Sequence, residues 1–240
     1  AKVGKTTFVG TSNFKTLVLD FEGGEVVLPV NDKIDVVEMD SILKLNDVYQ
    51  FLTTEEHPYE MLVLDSLTSA NRIAFLELLT AESKRHSRRE ENRAEIQDYV
   101  FLQNQFVRLI YKLLELPLHV VITAHPESKV SAETGTRYVP KVSPTKMPDI
   151  VLSMMNEIIF LAMDKTSKRF LLLNNYPEYS VSSRVRSGIE LPNEIDDPDM
   201  SKYFEALRGE YVSAATPDFS TVEERMIYTE KEDLPITEEN

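Results

Sequence analysis

Cysteine is missing from the 240 residues. That excludes disulfides and thiolate metal sites, and it fits an expected cytoplasmic location. Long apolar runs are missing too: none approaches the roughly 18 residues that a bilayer span needs, and no basic-then-apolar leader opens the chain. The four histidines, His57, His86, His119 and His125, show no H-x-x-x-H spacing of a metal site. Positive charge is scarce, with 26 Lys and Arg against 40 Asp and Glu and a net charge of −14. A surface that coats nucleic acid needs clustered cations to neutralise phosphates, so any such contact is confined to local basic loops. Internal repeats are absent.

What is present is a composition of 42% hydrophobic and 28% charged residues, ordinary for a globular α/β domain. The expectation is one such domain over residues 1 to 210, followed by an acidic tail over 211 to 240. Low hydrophobicity and like charge predict that this tail is disordered or orders only on a partner. The opening residues Val3-Gly4-Lys5-Thr6-Thr7 run into the apolar Phe8 and Val9, as in the back half of a phosphate loop whose first glycine falls before Ala1. Backbone N–H groups of such a turn converge on a nucleotide's phosphates. Lys5 then reaches the β- and γ-phosphates, and the Thr6 hydroxyl is a ligand of Mg²⁺. The alternative is an ordinary helix start.

Next, Lys15 to Gly24 reads as a short buried strand ending in acids and glycines, with Asp20 and Glu22 on one face at its carboxyl end. In an open α/β sheet that end forms the ligand crevice, where Glu22 is placed to orient or deprotonate a water. Alternatively it is a solvated acid before a glycine turn. Further strands are expected at Val26 to Val30 and Ile34 to Val37, then a helix with Leu43, Val48, Phe51 and Leu52 inward. Residues 59 to 69 carry four apolar residues into Asp65, a Walker B pattern in which a buried strand delivers the carboxylate to Mg²⁺; an Asp that only caps a helix is the alternative.

A helix over 70–81, with Ile73, Phe75, Leu76 and Leu79 inward, precedes the most basic segment, 83 to 93, with Lys84, Arg85, Arg88 and Arg89. It is either a solvated connection or a DNA-facing loop. Tyr99 to Glu115 has helical spacing with Leu102, Phe106, Leu109, Ile110 and Leu113 as core. Another buried strand, Pro117 to Pro126, ends in His125, which either senses a γ-phosphate or satisfies a backbone carbonyl. The stretch Glu127 to Pro148 reads as a long functional or disordered loop, with Lys129, Arg137, Lys141 and Lys146. Met155 to Met163 and Arg169 to Asn174 predict a hairpin turned at Asp164 to Lys168. Arg184 and Arg186 stand two apart on one strand face, suited to a phosphate of a neighbouring subunit's nucleotide or else simply exposed. A short helix within Pro192 to Arg208 has Met200, Tyr203, Phe204 and Leu207 at core spacing.

Taken in order, Gly4-Lys5-Thr6-Thr7, Asp20 to Gly24, Leu62 to Ser66 and Ile122 to His125 resemble the RecA-like ATPase core. More narrowly, they are similar to the phage nucleotide-binding proteins, single-domain relatives of RecA and RadA used in recombination and single-strand annealing. The resemblance implies a P-loop fold with a central, mostly parallel sheet flanked by helices, and ATP with Mg²⁺ as cofactors. It implies a water-activating role for Glu22 and γ-phosphate sensing by His125. The two DNA-binding loops fall on 83 to 93 and 127 to 148, and Arg184 and Arg186 stand where RecA uses a trans-acting basic pair. The implied activity is ATP hydrolysis coupled to single-stranded DNA in a homo-oligomeric ring or filament, within the host cytoplasm for a phage protein. Nothing resembles the arginine-rich lid of a kinase. A loader or adaptor acting on a helicase or a single-strand-binding protein is the rival, favoured by the acidic balance.

Overall fold

The computed structural model describes residues 3–24, 28, 32–86, 90, 93–131, 135–184 and 187–210. Strands Thr16–Asp20 (β1), Ile34–Glu38 (β2), Met61–Asp65 (β3) and His119–Ile122 (β4) form a parallel sheet of order β2-β1-β3-β4. Parallel strands covered on both faces read as continuous apolar runs, and β1 and β3 are buried at every position. Their alternation divides the molecule in two. Leu17, Leu19, Leu62 and Leu64 meet helices Lys44–Thr54 (α2), Leu67–Arg85 (α3), Ile96–Leu114 (α4) and Met147–Met154 (α5). Val18, Met61 and Val63 face the opposite way, onto Phe8 and Val9 of helix Lys5–Val9 (α1) and Met200, Tyr203 and Ala206 of helix Met200–Arg208 (α6). That second core also takes Leu171 and Leu173 of the segment after the sheet.

The expected hairpin is there as Phe160–Met163 (β8) and Arg169–Leu172 (β9), antiparallel, with Glu194–Asp196 (β11) on the other side of β9. The Asp164 carboxylate sets its turn by accepting the N–H groups of Thr166 and Lys168 at 2.8 Å each. Glu157–Ile158 (β7) pairs with Ser182–Ser183 (β10).

Five expectations need correction. Helix α2 starts at Lys44 in a phase that buries Leu45 and Leu52, while Leu43 and Phe51 are 69% and 40% exposed. Helix α3 runs on to Arg85, so Ser83, Lys84 and Arg85 are helical, and Leu76 faces outward with 49% exposure. Strand β4 lies at the sheet edge and is only half-buried. The stretch after His125 is ordered: Pro126–Ser131 (β5) and Gly135–Pro140 (β6) form an antiparallel hairpin and α5 begins at Met147. Arg184 lies just beyond the short β10, not inside a strand. Residues 26, 27, 29 and 30, Arg88, Arg89, Arg186 and the tail 211–240 lie outside the described residues.

Candidate active site

Parallel register brings the strand ends together: Asp20 pairs with Asp65, and Leu64 with Ile122. The residues just beyond, Glu22 after β1, Ser66 after β3 and His125 after β4, therefore converge on the carboxyl edge of the sheet. The N–H of Phe21 donates to the carbonyl of Asp65 at 2.7 Å and continues the ladder one step past β1. The Asp65–Ser66 peptide is cis.

Asp65 is 3% exposed, and hydroxyls occupy both its oxygens. Thr6 donates to Oδ2 at 2.5 Å and Thr123 donates to Oδ1. Gly4 opens α1 with φ of 94°, in the left-handed region that glycine adopts without strain. The carbonyl of Gly4 accepts the N–H of Phe8 at 2.8 Å. Burial lowers the pKa of Lys5, against the opposing pull of Asp65 first and Glu22 second. A half-desolvated ammonium facing two carboxylates is a ready acceptor of polyphosphate charge. Gly24 lines the same spot: a Cβ there would sit 3.5 Å from Thr6 Oγ1 and 3.8 Å from Asp65 Oδ2.

Glu22 is held by three side chains. Ser66 and Ser69 donate to Oε1, Ser69 at 2.9 Å, and His125 Nε2 lies 2.9 Å from Oε1 and 3.2 Å from Oε2. Burial raises the carboxyl's pKa, but the two serines and His125 outweigh it and hold the group below the usual glutamate value. His125 is fixed in turn: its N–H donates to Thr68 Oγ1 at 3.0 Å, and its carbonyl accepts the N–H of Lys141 at 2.8 Å, on the return arm of the β5–β6 hairpin. That arm is anchored to α3 by buried Asn71, whose amide donates to the Ser143 carbonyl at 3.0 Å and accepts its N–H at 2.8 Å.

Lys5, Thr6, Glu22, Asp65 and His125 are thus gathered in one place. Ser66, Ser69, Thr68 and Thr123 join them unforeseen. The available signal was two hydroxyls three apart on the first turn of α3, and a threonine two residues before His125. Other expected residues stand elsewhere. Lys129 donates to the Thr145 carbonyl at 2.8 Å, and Arg137 donates to Ser180 Oγ at 2.9 Å and Asp149 Oδ1 at 2.6 Å. Arg85 pairs with Glu82 at 3.0 Å. Arg184 donates to the Ser153 carbonyl at 3.4 Å, and no described contact joins it to the Glu22 cluster.

One carboxylate and one hydroxyl side by side, beside a half-buried lysine, fit Mg²⁺ carried on a nucleotide, because Mg²⁺ keeps phosphate and water oxygens for most of its ligands. A stand-alone cage is a different donor set, and none of three or more His, Asp or Glu occurs among the described residues. No helix of the described residues is long and apolar enough to cross a membrane.

Residues 1–185 match the family model AAA_24, described as an AAA domain. The crystal structure of the RadB recombinase is similar to this chain at a TM-score of 0.41 and 16% identity, over 71% of this chain and 74% of that one. No curated protein matches significantly.

Proposed function

This chain belongs to the AAA domain family, and from that premise we propose that it is a Mg²⁺-dependent ATPase of RecA type. In this reading ATP binding and hydrolysis are coupled to single-stranded DNA, in phage recombination or annealing. The observation that carries the reading is the joint contact of Glu22 with Ser66, Ser69 and His125 beside Lys5 and the Thr6–Asp65 pair. Val3 to Thr7 and Lys5 hold the β- and γ-phosphates, and Thr6 and Asp65 hold the ion that arrives with them. That ion supplies charge neutralisation on the transferred phosphoryl group.

Glu22 orients the attacking water and takes its proton, at a pKa low enough to keep it ionised at neutral pH. His125 holds Glu22 in the nucleotide-free state. A γ-phosphate competes for the His125 ring N–H, frees the carboxylate for water and signals to the hairpin through the Lys141 N–H. Arg184 or Arg186 of a neighbouring copy completes the site, so hydrolysis depends on a ring or filament. DNA contacts come from Lys84, Arg85, Arg88 and Arg89 and from Lys129, Arg137 and Lys141 at the hairpin.

A second reading, a loader or adaptor acting on a helicase or single-strand-binding protein, is favoured by the net charge of −14 and by the engagement of Lys129 and Arg137 with protein groups. Steady-state ATP hydrolysis with and without single-stranded DNA, with Lys5→Ala as the blank, tests both. Stimulation by DNA that vanishes in the blank is expected. Turnover indifferent to DNA transfers the weight to the adaptor, and equal phosphate release by wild type and blank refutes the ATPase itself.

A further inference from the structure

Arg169 lies 166 positions from Val3 in sequence, yet its Nε–H donates to the Val3 carbonyl at 3.0 Å. Its guanidinium also covers Gly4: a Cβ built on that glycine would sit 2.6 Å from Nε, 2.8 Å from Cζ and 3.0 Å from Nη2. The placement follows from strand periodicity. Residues 169, 171 and 173 share one face of β9 and its extension. Leu171 and Leu173 pack in the core that holds Phe8 and Val9 of α1, while Phe170 and Leu172 pack on the other side with Ala162 and Tyr179. The same strand face therefore supports the helix after the phosphate loop with leucines and the loop itself with a guanidinium. The backbone of Arg169 is pinned as well, its carbonyl accepting the N–H of Asp197 at 3.0 Å.

We infer that Arg169 is a positioning residue of the phosphate loop, bracing Val3 and Gly4 so that the loop's N–H groups are preset for a polyphosphate. Helix α1 has only 5 residues and cannot hold the turn by itself. A hydrogen bond from a guanidinium to a backbone carbonyl is charge-assisted, and its rigid plane fixes orientation in a way that a lysine ammonium does not. By donating to the Val3 carbonyl, Arg169 offsets that oxygen's partial negative charge beside the place where phosphate oxygens gather. No described carboxylate pairs with the guanidinium, so its charge remains available beside that place.

The inference rests on the ATPase reading, and the test separates the two. In the full chain, Arg169→Ala, Arg169→Lys and Leu172→Ala are compared by titration with a fluorescent ATP analogue, steady-state hydrolysis and hydrogen exchange. Arg169→Ala is expected to raise both the analogue's Kd and the KM for ATP about tenfold, from the loss of one charge-assisted bond, with kcat changed less than about twofold. Arg169→Lys should stay nearer the alanine variant than wild type. Leu172→Ala, on the opposite face of the same strand, should lower the melting temperature and leave KM alone. A KM unchanged in Arg169→Ala, or a fall in kcat alone, overturns the inference. If wild type binds no ATP, the ATPase reading fails by itself. Hydrogen exchange in the nucleotide-free protein then still decides the brace, with faster exchange confined to amides 4–9 in Arg169→Ala expected and unchanged exchange refuting it.

Discussion

Replacing Thr123 by valine removes one hydroxyl and nothing else of size. In the folded protein that hydroxyl is one of two that satisfy the Asp65 carboxylate, itself 3% exposed. The backbone of Thr123 is independently held, its N–H donating to Leu64 at 3.0 Å and its carbonyl accepting from Leu67 at 2.8 Å, so the valine backbone has no reason to move. A hydrogen bond to a buried ionised group is worth about 1.5–3 kcal/mol, and the loss here leaves a carboxylate oxygen bare. Thr123→Val should therefore lower the unfolding free energy by about 2 kcal/mol, a large share of the ~5–15 kcal/mol typical of a domain.

Thr6→Val removes the partner on the other oxygen, at a site open to solvent on one side, and should cost nearer ~1 kcal/mol. The two separate once MgATP is added. A ligand at a hundred times its Kd stabilises the native state by about 2.7 kcal/mol, which Thr123→Val should keep because Thr123 is no ligand of the ion. Thr6→Val should lose most of that gain. Urea unfolding followed by circular dichroism, with and without MgATP, measures all four numbers; the chain has no tryptophan to report by fluorescence. A cost below ~0.5 kcal/mol for Thr123→Val, or equal loss of the ATP gain in both variants, would refute the assignment of hydroxyls around Asp65.

Glu22→Gln should lower turnover by about 10²–10⁴ while analogue affinity stays within about threefold, read from single-turnover and titration data together. Because the folded-state pKa of Glu22 is depressed, the bonds its carboxylate accepts from Ser66, Ser69 and His125 contribute stability that is complete above the unfolded value of about 4.3 and lost as pH falls through the lower folded value. The stability of wild type relative to Glu22→Gln should hence shrink on acidification in that window in denaturant titrations. Gly4→Ala meets both a φ of 94° and the Arg169 guanidinium, so a loss of at least ~1 kcal/mol and weakened ATP binding are expected from thermal melts and titration.

The sequence order of apolar runs with polar ends made the sheet legible, because a buried parallel strand leaves an uninterrupted signature and its carboxyl end is where a polar residue stands out. Glu22, Asp65 and His125, which meet at that edge, stand out in the sequence for this reason. Helix phase was less legible. Leu43 and Phe51 look like core beside Val48 and Leu52, but the turn before Lys44 sets the helix so that Leu45 goes inward instead. The β5–β6 hairpin was hidden because Gly135 and its prolines read as loop, while the partners that order it, Asp149, Ser180 and Asn71, come from α5, the turn before β10 and α3. Arg169 gave no signal at all: its role depends on β9 lying against α1, which only the tertiary packing decides.

The ties of the β5–β6 hairpin give it the mechanics of a strut. Lys141 is hooked to His125, two residues on Ser143 is locked to Asn71 by a paired amide, and further out Lys129 and Arg137 are held by Thr145, Ser180 and Asp149, so the described part of the hairpin is tied along its length to α5 and the turn before β10. Strand β5 has 6 residues, an arm of about 20 Å at ~3.3 Å per residue. A load on Val130, near the tip and 82% exposed, is therefore carried back along that length to His125 and the Glu22 it touches, and a bound polymer or neighbouring subunit that presses there is felt at the site.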